Sequence, residues 1–379
     1  MELGFDKEHI LLRQMLKEFT ENEVKDLASE IDEEERFPLE TVKKMQEAGI
    51  MGIPFPEKYG GEGGDYIGYV SAVEELSKAC ATTGVVLSAH TSLCAGPIYE
   101  YGTEEQKEKY LIPLAKGHKL GAFALTEPNA GTDASKQETI AIEDGDDYII
   151  NGSKIFITNA GYADTYVVMA MTDPSLGTRG ITAFILEKDM TGFTIGKKEK
   201  KMGIRGSATC ELIFDDVRVP KANILGKVGY GFKIAMKTLD AGRIGIAAQA
   251  CGIAEGALEE TVAYVKERKQ FNRPIAKFQN TQFVLADLAT KIDAARMLMY
   301  RAAYNKDHKL SFTKEAAMAK LYASEVAVEV TNKAIQLHGG YGYSREYPVE
   351  RMMRDAKITE IYEGTSEVQK MVISSYLLK

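Results

Sequence analysis

The chain of 379 residues has no tryptophan, only four cysteines and no excess of positive charge. The cysteines, Cys80, Cys94, Cys210 and Cys251, are scattered, with no CxxC pair and no histidine at ligand spacing. That pattern excludes a zinc site or a disulfide framework and predicts reduced core thiols in a cytosolic protein. Forty-seven basic against fifty-five acidic residues leave a net charge of −8. This balance argues against nonspecific nucleic-acid binding and polybasic membrane docking, so no nucleic-acid or membrane partner is expected. An anionic ligand would need a local cluster of arginines and backbone N–H groups.

Long apolar runs are also missing. Ala79 to Tyr99 carries no formal charge, but threonines, serines, His90, two glycines and Pro97 interrupt it. Lipid is a poor solvent for such a segment, which reads as a buried helix lining something. The opening MELGFDKEHILLRQ has neither a basic stretch before an apolar run nor the Arg/Ser-rich texture of a transit peptide. A cytoplasmic location is therefore expected. No GxGxxG follows a strand, and GxxxxGK[ST], HExxH and GxSxG do not occur. These gaps remove the dinucleotide-binding, P-loop, zinc-protease and serine-hydrolase readings.

What is present fits a soluble globular protein: 45% hydrophobic and 27% charged residues, with a slight excess of glycine at 34. The length suggests two or three domains, and the texture changes twice. Residues 1–120 read as helical, with Phe5 and Ile10 bracketing Asp6 as staple and N-cap. Residues 121–227 read as short, closely spaced strands, an antiparallel barrel or sandwich. Asp144-Gly145 and Asn151-Gly152 read there as hairpin turns. Residues 228–379 return to helical periodicity. One apolar face carries Met318, Leu321, Tyr322, Val326 and Val330; another carries Phe283, Val284, Leu288 and Ile292. The fold class is α+β, with the β-domain between two helical ones.

Several segments admit both a structural and a functional reading. Thr126 to Asp133 is either an ordinary turn-rich loop or one whose N–H groups and hydroxyls face a polar, planar ligand. Phe156 suits either the core or the face of a cofactor ring. Arg268 and Lys269 either compensate a helix dipole or grip a diphosphate. Gln336 to Gly342 is a helix C-cap that also permits close approach to a flat ligand. Glu363, flanked by Tyr362 and Gly364 at a loop-to-helix junction, is either a surface carboxylate or a base in an apolar cleft. Desolvation in such a cleft would raise its pKa. Spacing alone leaves these choices open.

Taken in order, FALTEPNAGTDAS (123–135), KIFITNAG (154–161), FDDVRVP (214–220), LDAGRIGIA (239–247), ERKQF (267–271), QLHGGYGY (336–343) and IYEGTSE (361–367) resemble the acyl-CoA dehydrogenase family. The resemblance spans essentially the whole chain and is strongest to the bacterial short-chain (butyryl-CoA) branch. It implies an N-terminal helical domain, a central antiparallel β-barrel and a C-terminal four-helix bundle. It also implies FAD, a homotetramer built as a dimer of dimers, an acyl-CoA substrate and electron-transfer flavoprotein as electron acceptor.

By the same resemblance, Phe123, Leu125, Thr126 and Thr132 would belong to the flavin loop, with Thr132 also near substrate. Phe156, Ile157 and Thr158 would cover the isoalloxazine. Arg268, Gln270, Phe271 and Gln279 would reach a neighbouring subunit's FAD. Gln336, Gly339 and Gly340 would hold its adenosine half, and Thr365 and Glu367 its near end. Asp240, Arg243, Tyr362 and Gly364 would meet the substrate, and Glu363 would be the catalytic base. Family branches that carry the base as a glutamate on the LDxxR helix have it where this chain has Gly242. The absence of lysine and arginine between Thr82 and Gln106 disfavours a carboxylated acyl tail. The competing expectations are an acyl-CoA oxidase and a non-catalytic relative on the same fold.

Overall fold

A computed structural model describes residues 6–378. Asp6 opens the first helix as the sequence predicts: its carboxylate accepts from the N–H of Glu8 at 2.9 Å and of His9 at 3.0 Å. The staple partner Phe5 lies outside the described residues.

The first helical region holds α1 (Lys7–Glu23), α2 (Ala28–Glu33), α3 (Leu39–Glu47), α4 (Tyr66–Ala79), α5 (Ala81–Ser88), α6 (Gly96–Tyr101), α7 (Glu104–Gln106) and α8 (Ile112–Ala115). Strands β1 (Gly121–Ala124), β2 (Ile140–Asp144), β3 (Asp147–Ile157), β4 (Thr165–Met171), β5 (Ile181–Glu187), β6 (Phe193–Lys198), β7 (Cys210–Pro220) and β8 (Ile224–Leu225) follow. The second helical region holds α9 (Gly231–Glu267), α10 (Gln279–Asp307), α11 (Thr313–His338), α12 (Val349–Lys357) and α13 (Ser366–Leu377). A small hairpin of Lys269–Gln270 and Arg273–Pro274 joins α9 to α10. No described helix is long and apolar enough to cross a membrane.

The strands lie in the order β6-β7-β3-β2-β4-β5-β8, with β1 added beside β4. The ladders are mostly antiparallel, as the short spacings require. The exceptions are β1, parallel to β4 from Gly121↔Thr165 to Ala124↔Val168, and a single parallel pairing of Ile140 with Met171. Asp144-Gly145 does turn a hairpin, with Asp144 facing Asp147 and Gly145 at φ +63°. Asn151-Gly152 does not. The pair lies inside β3, where the register to β7 shifts, and one strand replaces the two expected there. A Cβ on Gly152 would approach the Thr139 Cα to 2.7 Å, so glycine answers a close backbone contact there rather than a turn.

Three buried clusters organise the chain. One packs α1, α4 and α5 against the long helices α9, α10 and α11, and one fills the β-domain. The third joins Leu93, Cys94 and Ile98 to Phe123, Leu125, Val167 and Ile234, so it ties the uncharged segment to the sheet and to α9. All four cysteines are buried free thiols. In α10, Leu288 and Ile292 are buried as expected, but Phe283 is 64% exposed because the inward stripe begins one residue later, at the half-buried Val284.

Helix α9 is apolar around most of its girth and is buried without interruption from Asp240 to Ala254, the pattern of a central helix. Its glycines let α4 approach: Cβ atoms on Gly252 and Gly256 would fall 2.2 Å from the carbonyls of Glu74 and Lys78. The uncharged segment is buried from Cys80 to Ala95 and passes through a π-helical stretch, Ala89–Ala95. His90 fastens that stretch to β1. Its Nε2 donates to the Leu114 carbonyl and its Nδ1 accepts from the Gly121 N–H, each at 3.1 Å. Both bonds need the neutral ring, and burial pulls its pKa down to about 4.

Candidate active site

Glu363 and Gly364 form the reverse bend between α12 and α13. Both have positive φ, +54° and +97°, a conformation that disfavours glutamate and suits the glycine after it. Thr365 then caps α13, accepting from the Val368 N–H at 3.4 Å. Three side chains hold the bend from outside. Arg243 Nε donates to the Glu363 carbonyl at 3.4 Å, Lys320 Nζ to the Gly364 carbonyl at 2.7 Å, and Gln369 Nε2 to the Gly364 carbonyl at 2.8 Å.

The bend turns the Glu363 carboxylate inward. Oε2 is buried and has no hydrogen-bond partner. A Cβ on Gly242 of α9 would lie 2.1 Å from that oxygen and 2.7 Å from Cδ2 of Leu93. The absence of a side chain at 242 and the apolar wall at Leu93 thus define the space beside the carboxylate. Burial pushes its pKa up to about 8 against the opposing pull of Lys320 and Arg243. Buried, perturbed and unpaired, this group is chemically poised to take a proton near neutral pH.

Asp240 and Arg243 lie on the same stretch of α9. They are buried and paired at 2.9 Å, and Thr313 Oγ1 donates to the other Asp240 oxygen at 2.6 Å. Tyr362 packs against the helical core, and its hydroxyl bonds the Gln249 side chain. Glu363, Tyr362, Gly364, Asp240 and Arg243 are therefore brought together, as the sequence motifs predict.

The predicted flavin loop grows from the sheet next to this cleft. Phe123 and Leu125 are core residues in the same cluster as Leu93; Thr126 is half-buried and Thr132 exposed. The Thr126 carbonyl accepts from the Ile155 N–H at 2.9 Å, which joins this loop to the end of β3. There Ile157 is buried and Thr158 half-buried, while Phe156 stands 59% exposed at φ +58°. A large ring displayed on a left-handed backbone is a surface waiting for a flat partner.

Beneath the loop, Lys154 is fully buried. Its Nζ donates to Glu127 Oε1 at 2.6 Å, to the Leu125 carbonyl at 3.3 Å and to the side chain of Gln137. Sequence reading missed this support, because the shift at Gly152 changes which face the residues after it present. Lys320 was missed too, although a lysine among the alanines of α11 was a visible irregularity.

A third set forms a groove of about 680 Å³ lined by Tyr264, Arg268, Gln270, Gln336, Gly339 and Gly340, among others. Cβ atoms on Gly339 or Gly340 would meet nothing within 4 Å, so a ligand can reach the backbone there. Arg268 lies over the Tyr341 ring at 5.6 Å. Phe271 is 87% exposed, and Gln279 is exposed at the start of α10. The groove's lining includes none of the flavin-loop residues and none of the Glu363 cleft. Glu367 is exposed in the first turn of α13, where its own backbone N–H and the Thr365 hydroxyl hold its carboxyl below the usual range. His338, by contrast, is structural: it stacks on Tyr264 at 4.2 Å, and its Nδ1 pairs with the Ala334 carbonyl.

Three family models match the chain: "Acyl-CoA dehydrogenase, N-terminal domain" over residues 6–118, "middle domain" over 122–217 and "C-terminal domain" over 229–378. The chain is 64% identical to a short-chain-specific acyl-CoA dehydrogenase of Clostridium acetobutylicum over the full length of both. Among solved structures, it matches butyryl-CoA dehydrogenase from Megasphaera elsdenii with a TM-score of 0.98 and 55% identity, covering 100% of each chain. It also matches a chain in a structure described as the electron transferring flavoprotein of Acidaminococcus fermentans, with a TM-score of 0.99, 57% identity and full coverage of both.

Proposed function

We propose that this chain, which belongs to the acyl-CoA dehydrogenase family, is an FAD-dependent dehydrogenase of short-chain acyl-CoA thioesters that converts butyryl-CoA to crotonyl-CoA. The observation that carries this reading is the buried, unpartnered Oε2 of Glu363 facing the gap at Gly242.

In this reading Glu363 removes the α-proton of the thioester. Its raised pKa, about 8, leaves only about a tenth of the carboxyl ionised at pH 7 but makes that carboxylate a stronger base, which suits proton abstraction from carbon. The enolate-like thioester oxygen needs hydrogen-bond donors, and the backbone N–H of Glu363 serves there when the bend is held as described. Leu93 and the uncharged segment around it wall the acyl chain and exclude water. Asp240 and Arg243 meet the CoA portion, and Tyr362 and Gly364 flank the reacting carbons.

The residues present fit FAD: an exposed aromatic ring at Phe156, a loop offering Thr126 and Thr132, and a separate groove with Arg268, Gln270, Gln336 and two unobstructed glycines. Bound FAD supplies the hydride acceptor, flavin N5, for the β-hydrogen. Phe123 and Leu125 root the flavin loop, and Phe156, Ile157 and Thr158 cover the ring. Thr365 and Glu367 hold the near end of the cofactor. Arg268, Gln270, Phe271, Gln279, Gln336, Gly339 and Gly340 bind the FAD of a neighbouring protomer. The groove's separation from the flavin loop is compatible with a cofactor shared between protomers, and the proposed assembly is a homotetramer built as a dimer of dimers.

Electrons pass to an electron-transfer flavoprotein, a partner suggested by the Acidaminococcus fermentans match. The setting is the cytoplasm. The test is anaerobic flavin bleaching by straight-chain acyl-CoAs from four carbons upward, with glutaryl-CoA as control. Fastest bleaching with butyryl-CoA supports the assignment. A colourless protein that takes up no FAD on reconstitution overturns it.

A further inference from the structure

Helix α11 buries alanines at 316, 317, 319, 323 and 327, and Lys320 stands among them with no exposed surface. Enclosing an ammonium among apolar groups is expensive unless something compensates it. Its Nζ donates to one carbonyl, that of Gly364, at 2.7 Å. Among the described residues no carboxylate lies within 4.0 Å of it, so no direct ion pair explains its retention. The carboxylate that acts on it most is Glu363, with Glu360 and Glu367 adding and Arg243 opposing.

We infer that Lys320 is the positioning residue of the catalytic base: it pins the Gly364 carbonyl, and so the bend that aims Glu363, and supplies a buried positive charge that favours the carboxylate. The inference rests on the reading of Glu363 as base. The bend needs such support because Glu363 holds a left-handed backbone that disfavours a side chain. Arg243 cannot supply the charge alone, because its guanidinium is committed to Asp240.

The groups facing Glu363 are few. Lys320 comes from α11, Arg243 with Asp240 from α9, and the phenols of Tyr66 and Tyr69, both of which feel its charge, from α4. Tyr362 is its own neighbour. Of these, the two cations favour the ionised base, and only Lys320 reaches the bend without a carboxylate of its own. Burial draws Lys320 down to about 8, so it is largely protonated at neutral pH.

The test is the pH dependence of anaerobic flavin bleaching by butyryl-CoA in FAD-loaded enzyme carrying Lys320→Met or Lys320→Gln. Loss of the charge should move the alkaline-rising limb up by about one pH unit and slow bleaching about tenfold on its acid side. Bleaching should recover at high pH, with acyl-CoA affinity changed little. Lys320→Arg should bring the limb back towards its original position. The glutamine variant, neutral but still polar, carries the same prediction where the methionine variant does not fold. An unmoved limb in a folded, fully flavinated neutral variant overturns the inference. Glu363→Gln in the same assay separates the two readings: normal bleaching there removes Glu363 as base, whereas its loss together with an unmoved Lys320 limb removes only the role given to Lys320.

Discussion

Gly242 and Glu363 share one space: a Cβ on the glycine would stand 2.1 Å from the carboxylate oxygen Oε2. The helix that would carry the base in other branches of the family is thus left bare where this chain's base arrives from the α12–α13 bend. In this conformation the two positions exclude each other by volume, which fits the proposed role of Glu363 as the base.

Gly242→Ala tests that geometry. The new methyl would meet both Oε2 of Glu363 and Leu93, and neither the α9 backbone nor the buried wall can yield freely. Displacing a reacting carboxylate by about 1 Å costs on the order of a hundredfold in rate. Bleaching by butyryl-CoA should fall by that order while FAD content stays normal. An unchanged rate would show that the carboxylate works from another place.

The raised pKa of Glu363 also predicts a stability effect whose sign can be stated. The folded state holds the carboxyl proton up to about pH 8, whereas the ordinary value is 4.5. The stability gained from that proton is complete below the ordinary value and is lost as pH rises through the folded one. Glutamine does not ionise, so the Tm of Glu363→Gln relative to the unaltered protein should rise from pH 5 to about pH 8 and level off above it. A constant difference across that range would mean that the carboxylate is solvated.

Arg268→Ala addresses the assembly. Arg268 is exposed on one chain, in a groove that shares no lining with the flavin loop. On the proposed reading its guanidinium holds a neighbour's diphosphate, so its removal should lower both FAD retention and the tetramer fraction, as seen by absorbance and sedimentation of the same sample. A fully flavinated tetramer would confine the cofactor to a single protomer.

Much of this was legible in the sequence because it was written in local chemistry. Asp6 caps α1 where its position suggests, and the uncharged stretch after Ala79 is buried as far as Ala95. The IYEGTSE and LDAGR segments meet at Glu363 and Gly242. What escaped depended on contacts between distant residues. Asn151-Gly152 has the composition of a turn, yet the approach of Thr139 made it a bulge within one strand. Lys154 and Lys320 look like surface lysines one at a time. Only the folded chain brings Glu127 to the first and the Gly364 carbonyl to the second. A periodic pattern marks which face is buried, but not which buried polar group has found a partner.

The central claim is that Glu363 takes the α-proton, and one measurement tests it most directly. FAD-loaded Glu363→Gln is mixed anaerobically with butyryl-CoA while flavin absorbance and thioester binding are followed together. The account predicts normal binding and almost no bleaching, against rapid bleaching in the unaltered enzyme. Bleaching at an undiminished rate would contradict it.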